Sequence, residues 1–208
     1  TGLDIVNLSN ISGSDVVVSA SGTPGATEFR SNLSTKSLTF NDLTQGSTAY
    51  LKGNGTLANG GLTAGYVSTA TSGAVYLEGG TTAGAITING SGLTSQTITS
   101  TRAANKVGTV TGAASATSTT IAASSLGNFE ASSLANTGAT LTVTGAGSAK
   151  LGSAIPAAVK TLNAAANTGG VTAVLNTNVD ITVTGGSGND TFTAGAILTT
   201  GSVNAGAG

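Results

Sequence analysis

The chain alternates Thr or Ser with small aliphatic residues over short stretches, and turns rich in Gly, Asn and Asp separate these stretches. Alternation with a period of two points one side chain inward and the next outward, which is typical of a β-strand. The turn residues mark the reversals between strands. The pattern predicts strands within residues 15–20, 37–40, 47–51, 74–77, 85–88, 97–99, 109–111 and 141–144. The chain is therefore expected to be dominantly β.

Helical signals are weak. Residues 155–162 place Pro156 near a possible first helical position, but the segment is long enough for about two turns at most. The Ala run at 164–166 is too short to nucleate a helix by itself. We expect no helix longer than about three turns, and an Ala-rich segment of β-structure is the favoured interpretation of 164–166.

A sequence repeat suggests how the strands are arranged. Leu-Thr-Val-Thr-Gly at 141–145 recurs as Ile-Thr-Val-Thr-Gly at 181–185, and a shorter form lies at 109–112. Repeats of about 20 residues are typical of solenoids, so the two copies would lie two coils apart. Val143 and Val183 would then both point into one core. The alternative is chance recurrence in a chain rich in Thr and Gly.

The division into domains is open at the level of sequence. Composition is uniform along the 208 residues. Residues 113–120 contain only Ala, Ser and Thr, and they suit either a linker or an ordinary coil. The first interpretation gives a β-rich part at 1–112 without calcium-binding repeats and a solenoid part at 113–208. The second gives one continuous domain.

Composition narrows the fold class. Charged residues make up 7% of the chain and aromatic residues 3%, while 38% are hydrophobic and mostly small or β-branched. An ordinary soluble protein has roughly 25% charged residues. Small apolar side chains fill only a thin core, and a thin core suits a narrow stack of coils. The prediction is an all-β fold, a parallel β-helix or β-solenoid.

Several function classes lose support from composition. His and Cys are absent, which excludes His-based catalysis, Cys nucleophiles and disulfides. The eight carboxylates show no spacing typical of an acid–base pair, so we expect no enzyme. A net charge of −1, with scattered cations, gives no basis for nucleic-acid binding, and no apolar stretch is long enough for membrane insertion. Tyr50, Tyr66 and Tyr76 suggest either half-buried strand aromatics or a carbohydrate platform.

One motif carries recognisable chemistry. Residues 185–193 match the calcium-binding nonapeptide G-G-x-G-x-D-x-U-x, with Phe192 as the large apolar residue. Glycines allow a tight turn that aims carbonyl oxygens inward, and Asp190 offers a hard carboxylate oxygen for Ca²⁺. The candidate calcium-binding residues are Gly185, Gly186, Ser187, Gly188, Asn189 and Asp190.

A second copy of this motif is suggested at residues 205–208. Ala-Gly-Ala-Gly would occupy the place of G-G-x-G. In a β-roll the metal lies between consecutive turns, so one copy supplies half of a cage. The alternative is a plain glycine turn ahead of a strand. Because residue 1 is Thr and not Met, we expect the chain to be part of a longer protein.

Residues 141–208 resemble the bacterial RTX-type surface-layer (S-layer) proteins. The resemblance rests on the Leu-Thr-Val-Thr-Gly segments, the Leu-Asn-Ala segment at 162–164 and the turn from Gly185 to Asp190. It covers about a third of the chain by motif and the rest by composition. The resemblance implies type I secretion, Ca²⁺ as cofactor, and an extracellular location at the bacterial cell surface. Residues 1–100 contain no nonapeptide, which leaves their part in calcium binding open.

The expected function is that of a structural segment in a calcium-dependent two-dimensional lattice. Its partner would be further copies of itself, and an anchor to lipopolysaccharide would require a segment outside this chain. A repeat module of a large type I secreted RTX adhesin is the alternative. The low charge favours the lattice, because neighbouring copies repel each other little.

Overall fold

The computed structural model describes residues 4–82 and 84–208 and forms a parallel β-solenoid of about nine coils. Most coils contribute one strand to each of two sheets. The first sheet contains, in spatial order, β1 Ile5–Ser9, β3 Glu28–Asn32, β5 Thr48–Lys52, β7 Ser72–Glu78, β9 Ser95–Thr101, β11 Ser118–Ala123, β13 Thr140–Thr144, β15 Thr161–Asn163, β17 Thr182–Thr184 and β19 Ser202–Asn204. The all-β solenoid prediction is confirmed.

The second sheet runs beside the first and is formed by the alternate strands. It contains β2 Val16–Ser19, β4 Leu38–Leu43, β6 Leu62–Tyr66, β8 Ile86–Asn89, β10 Asn105–Thr111, β12 Phe129–Ala135, β14 Ala149–Lys150, β16 Val171–Val174 and β18 Thr191–Thr193. Within the described ranges, the helical content is one short 3₁₀ turn, Ala20–Gly22. Residues 155–162 form no helix, because their backbone turns from the second sheet back to β15.

All strand pairs in the two sheets are parallel, and coil length varies along the stack. Thr48 pairs with Ala74, 26 residues later, whereas Thr172 pairs with Thr191, only 19 residues later. The longer coils lie in the first half of the chain and the shorter ones near the C-terminal end. Strands β9 and β11 pair on either side of residues 112–113, so the first sheet continues through this segment.

The core lies between the sheets and consists of stacked aliphatic side chains. Val75, Ile98, Ile121 and Val143 occupy one ladder through consecutive strands of the first sheet, and all four are fully or almost fully buried. Each residue type repeats because parallel, in-register strands place equivalent positions directly above one another. This ladder is the thin aliphatic core that composition predicts.

The repeat in the sequence corresponds to two strands separated by one coil. Leu141 pairs with Leu162, which pairs with Val183. Both copies therefore belong to one solenoid, and Val143 and Val183 are both buried in its core, as predicted. The structural register differs from the sequence alignment by two residues. A shift of two keeps every side chain on the same face, since side chains alternate with a period of two.

Candidate functional site

The glycine-rich turn lies where a coil passes from the first sheet to the second. β17 ends at Thr184, the turn covers residues 185–190, and β18 begins at Thr191. The strand predicted after the motif is therefore present, and Phe192 packs against the core from its partly buried position. This geometry brings all six predicted site residues into a single corner of the solenoid.

Asp190 ties the turn to the coil beneath it. Its Oδ1 accepts a hydrogen bond from the Val171 backbone N–H at 2.7 Å, and its Oδ2 accepts one from the Gly186 N–H at 2.8 Å. Hydrogen bonds to an ionised carboxylate are stronger than neutral ones. The side chain thus closes its own turn and also caps a backbone amide of the preceding coil.

Glycine is required in this turn because neighbouring coils approach very closely. A Cβ on Gly185 would meet the Ala205 carbonyl and the Asp190 carboxylate, and one on Gly186 would meet the Asn167 carbonyl. The same corner in other coils is equally crowded, as at Gly145 and Gly206. Coil stacking by itself therefore explains the glycines, and Asp190 is what distinguishes this turn from the others.

The second predicted turn stacks on the first in the predicted register. Thr184 pairs with Asn204, and the Gly185 N–H donates to the Asn204 carbonyl at 2.7 Å. The Ala207 N–H then donates to the Gly186 carbonyl at 2.9 Å. Residues 205–208 consequently lie directly over 185–188. In this register, the residue stacked on Asp190 would follow Gly208.

The donors at this corner suit a hard cation in kind. Calcium takes six to eight oxygen ligands, mainly carboxylates and carbonyls. Each Asp190 oxygen accepts one amide and retains a lone pair, and the backbone of Gly185 to Asn189 offers carbonyl oxygens. Across residues 4–82 and 84–208 there is no cluster of three or more acidic, His or Cys side chains. One carboxylate with carbonyls is half of a cage, as the motif predicts.

Asn167 supports the site from below and was not predicted from the sequence. It is fully buried, and its Nδ2 donates to the carbonyls of Gly145 and Gly147, both at 2.9 Å. Its Oδ1 accepts from Gly170 N–H at 2.8 Å, while its own carbonyl accepts from Ser187. One side chain therefore bridges three coils. The available signal was an amide residue directly before a Gly-rich turn.

Most ion pairs form ladders across adjacent coils. Glu130 lies between two lysines, with Lys106 at 3.2 Å and Lys150 at 3.4 Å. The hydrogen bond from Lys106 is the main cause that lowers the pKa of Glu130. Lys160 pairs with Asp180 at 3.0 Å, and this bond lowers the pKa of Asp180. These pairs are exposed, so each contributes little to stability.

The three tyrosines do not form a common platform. Tyr66 is buried in the core, and its hydroxyl lies 2.8 Å from the Ser47 carbonyl oxygen. Tyr50 and Tyr76 are half-buried on the outer face of the first sheet and stack with ring centroids 4.9 Å apart. The Arg30 guanidinium covers the other face of Tyr50 at 4.4 Å. Neither face of the Tyr50 ring is open for a sugar to stack on.

Comparisons with known proteins identify no relative: no family model, no curated protein and no solved structure matches the chain. In the part of the chain that the structure describes, no helix has the length and apolar character needed to cross a bilayer. The arguments for function therefore rest on the fold and the corner at Asp190.

Proposed function

We propose that this chain is a non-catalytic structural segment of a secreted bacterial surface-layer protein that assembles into a calcium-dependent lattice. The observation that carries the proposal is the stacking of residues 205–208 over the Gly185–Asp190 turn in consecutive coils. This is the arrangement in which a calcium nonapeptide binds its metal between turns. The chain would act outside the cell, with other copies of itself as partners.

The environment of Asp190 supports a cation at this corner. Among residues 4–82 and 84–208, no Lys or Arg lies within ion-pair distance of its carboxylate. A partly buried carboxylate without a counter-ion is costly. Calcium at Gly185, Gly186, Ser187, Gly188, Asn189 and Asp190 would supply the missing charge and hold adjacent turns together. Binding to the folded state alone would stabilise it by mass action.

The surface of the solenoid supports repeated lateral contacts. The chain has seven cations and eight carboxylates in 208 residues. At least nine of the fifteen are already paired with each other. Little net repulsion therefore opposes the approach of a second copy. A lattice needs contacts between different faces of the molecule, because such contacts propagate.

The experiment is calcium-dependent assembly of the purified chain. We expect particles that grow by light scattering when Ca²⁺ is added, ordered sheets in electron micrographs, and reversal by a chelator. Asp190→Asn should prevent the response. Asp15→Asn is the matched control, because Asp15 also precedes a strand of the second sheet and caps a neighbouring coil, accepting from the Ser37 N–H at 2.9 Å.

Two outcomes would contradict the proposal. Unchanged particle size with and without Ca²⁺ would exclude calcium-driven assembly of this chain. Calcium binding to well-folded, elongated single particles would instead favour the adhesin module, because a stalk needs coil stacking without lateral contacts. An equal effect of Asp190→Asn and Asp15→Asn would show that Asp190 acts only as an amide cap. Anchoring to lipopolysaccharide would belong to a segment outside this chain.

A further inference from the structure

Charge is concentrated on the outer face of the first sheet near its N-terminal end. Glu28, Arg30, Lys52, Glu78 and Arg102, five of the chain's fifteen charged residues, lie on this face or beside it. In-register pairing places Arg30 beside Tyr50 and Lys52 beside Glu78. A sheet that stacks only Thr, Asn and Ser on this face in its later coils has no structural need for such a cluster.

A groove opens in this cluster, with a volume of about 150 Å³. We call it the outer-face groove, and its walls are Asn7, Arg30, Asn32, Tyr50 and Lys52. They come from three adjacent strands, β1, β3 and β5, so the parallel sheet holds them in place. The groove has room for one sugar-sized polar group. It lies on a different part of the molecule from the Asp190 corner.

The groove has positive charge available for a ligand. Arg30 donates through Nε and Nη2 to Glu28, and its Nη1 lies 3.9 Å from Glu78. Glu78 is buried and paired at 2.9 Å with Arg102. Within residues 4–82 and 84–208, Lys52 forms no ion pair. The Lys52 ammonium and the Arg30 Nη1 are therefore donors suited to an anionic group.

The groove also presents an acceptor that lacks a donor. The Oδ1 of Asn32 is buried and accepts no hydrogen bond, although the Nδ2 of the same amide donates to Ser9 at 3.2 Å. A buried acceptor without a partner costs free energy that a ligand hydroxyl would recover. A simple anion carries no proton to donate to it. The ligand must therefore combine negative charge with hydroxyl groups.

We propose that the outer-face groove binds an acidic saccharide, a sugar bearing a carboxylate or phosphate group. Lys52 and Arg30 contact the acidic group, and Asn32 accepts from a neighbouring hydroxyl. Tyr50 contributes only its edge, since Arg30 and Tyr76 cover its two faces. Recognition is thus polar and depends on charge, and it differs from the aromatic stacking that the tyrosines alone suggest.

Calorimetric titration of the purified chain tests this site. The probes are a short galacturonic acid oligomer, galactose 6-phosphate, the neutral galactose oligomer, and inorganic phosphate. We expect binding of one or both acidic sugars, with the neutral sugar and phosphate at least about tenfold weaker, as expected when one charge-assisted hydrogen bond is lost. Equal binding of inorganic phosphate would reduce the groove to a generic anion site and overturn the proposal. No binding of either acidic sugar would also overturn it.

Two variants locate the binding. Lys52→Gln should weaken the acidic sugar about tenfold or more. Lys36→Gln is the control, because Lys36 also forms no ion pair among the described residues but lies outside the groove. Asn32→Ala should weaken the sugar and leave any phosphate binding unchanged. Circular dichroism establishes that each variant is folded. Equal effects of Lys52→Gln and Lys36→Gln would exclude this groove as the site.

Discussion

Buried asparagines hold the corners of this solenoid. Asn105 is 1% exposed, accepts from the N–H groups of Gly80 and Thr81, and donates to the Leu77 carbonyl in the preceding coil. Asn167 and Asn176 make equivalent bridges to preceding coils. An amide serves well because it both donates and accepts without carrying charge. Each one satisfies backbone groups that a tight corner leaves unpaired.

Tyr66 makes the stability of the protein sensitive to alkaline pH. Burial raises the pKa of Tyr66 to about 12, against an ordinary value of 10.0. The folded chain keeps its proton longer than the unfolded chain does. The stabilisation is therefore complete below about pH 10 and is lost as pH rises towards about 12, at up to about 1.4 kcal/mol per pH unit.

Urea unfolding at about pH 8 and about pH 11.5 measures this loss. Tyr66→Phe should lower stability by about 1 kcal/mol at the lower pH, because the hydroxyl hydrogen bonds disappear. The same variant should lose less stability than the wild type between the two pH values. Burial also raises the pKa of Tyr50, so part of the alkaline loss should remain. Equal losses in wild type and variant would contradict the assignment.

At the level of the element, glycine spacing reflects the distance between coils. Adjacent parallel strands lie about 4.8 Å apart, and a corner that turns tightly brings backbone against backbone. Gly186 illustrates this, since its Cα faces the Asn167 and Ala164 carbonyls of the coil beneath. By contrast, nothing lies within 4 Å of the Cβ position of Gly13.

Gly186→Ala should destabilise the C-terminal coils by about 1–3 kcal/mol, the usual range for overpacking. Gly13→Ala is the matched control, and its stability should change by no more than about 0.5 kcal/mol. Denaturation monitored by circular dichroism gives both values. If the two variants were equally stable, coil crowding would not be the reason for glycine at 186, and flexibility or metal binding would have to be considered instead.

On the scale of the whole molecule, each coil contacts mainly the coils on either side of it. Stability in such a stack is close to a sum of terms within coils and between neighbours. The C-terminal coils are short, and the strands from β14 onward contain two to four residues each. Their hydrogen-bond ladders are correspondingly brief. A ligand that bridges coils here would have more influence than elsewhere in the stack.

Hydrogen exchange with calcium and with a chelator tests this view. We expect the chelator to reduce protection in residues 181–208 and to leave β3 to β9 unchanged. Asp190→Asn should reproduce the chelator effect in the presence of calcium, and Asp15→Asn should not reproduce it at this end. The same protection of 181–208 in all these samples would mean that Asp190 binds no calcium in this chain.

The sequence by itself determined the fold class and the position of the candidate site. Thr–aliphatic alternation predicted β4, β5, β8 and β13, because an inward face of small apolar residues leaves a period of two. The same pattern failed at β3, whose inward positions include buried Ser31 beside Phe29. The nonapeptide located the turn and the register of its neighbour, since both depend on local spacing.

Only the tertiary structure decided which distant residues meet. Pairing of Leu141 with Val183 through Leu162 depends on the length of the intervening corners, and a sequence alignment places the partners two residues away. Arg30, Tyr50 and Tyr76 become neighbours because coils of 20 and 26 residues are stacked in register. Local pattern specifies a strand, but the cross-coil ladders, the buried asparagine bridges and the outer-face groove arise only when the coils are superposed.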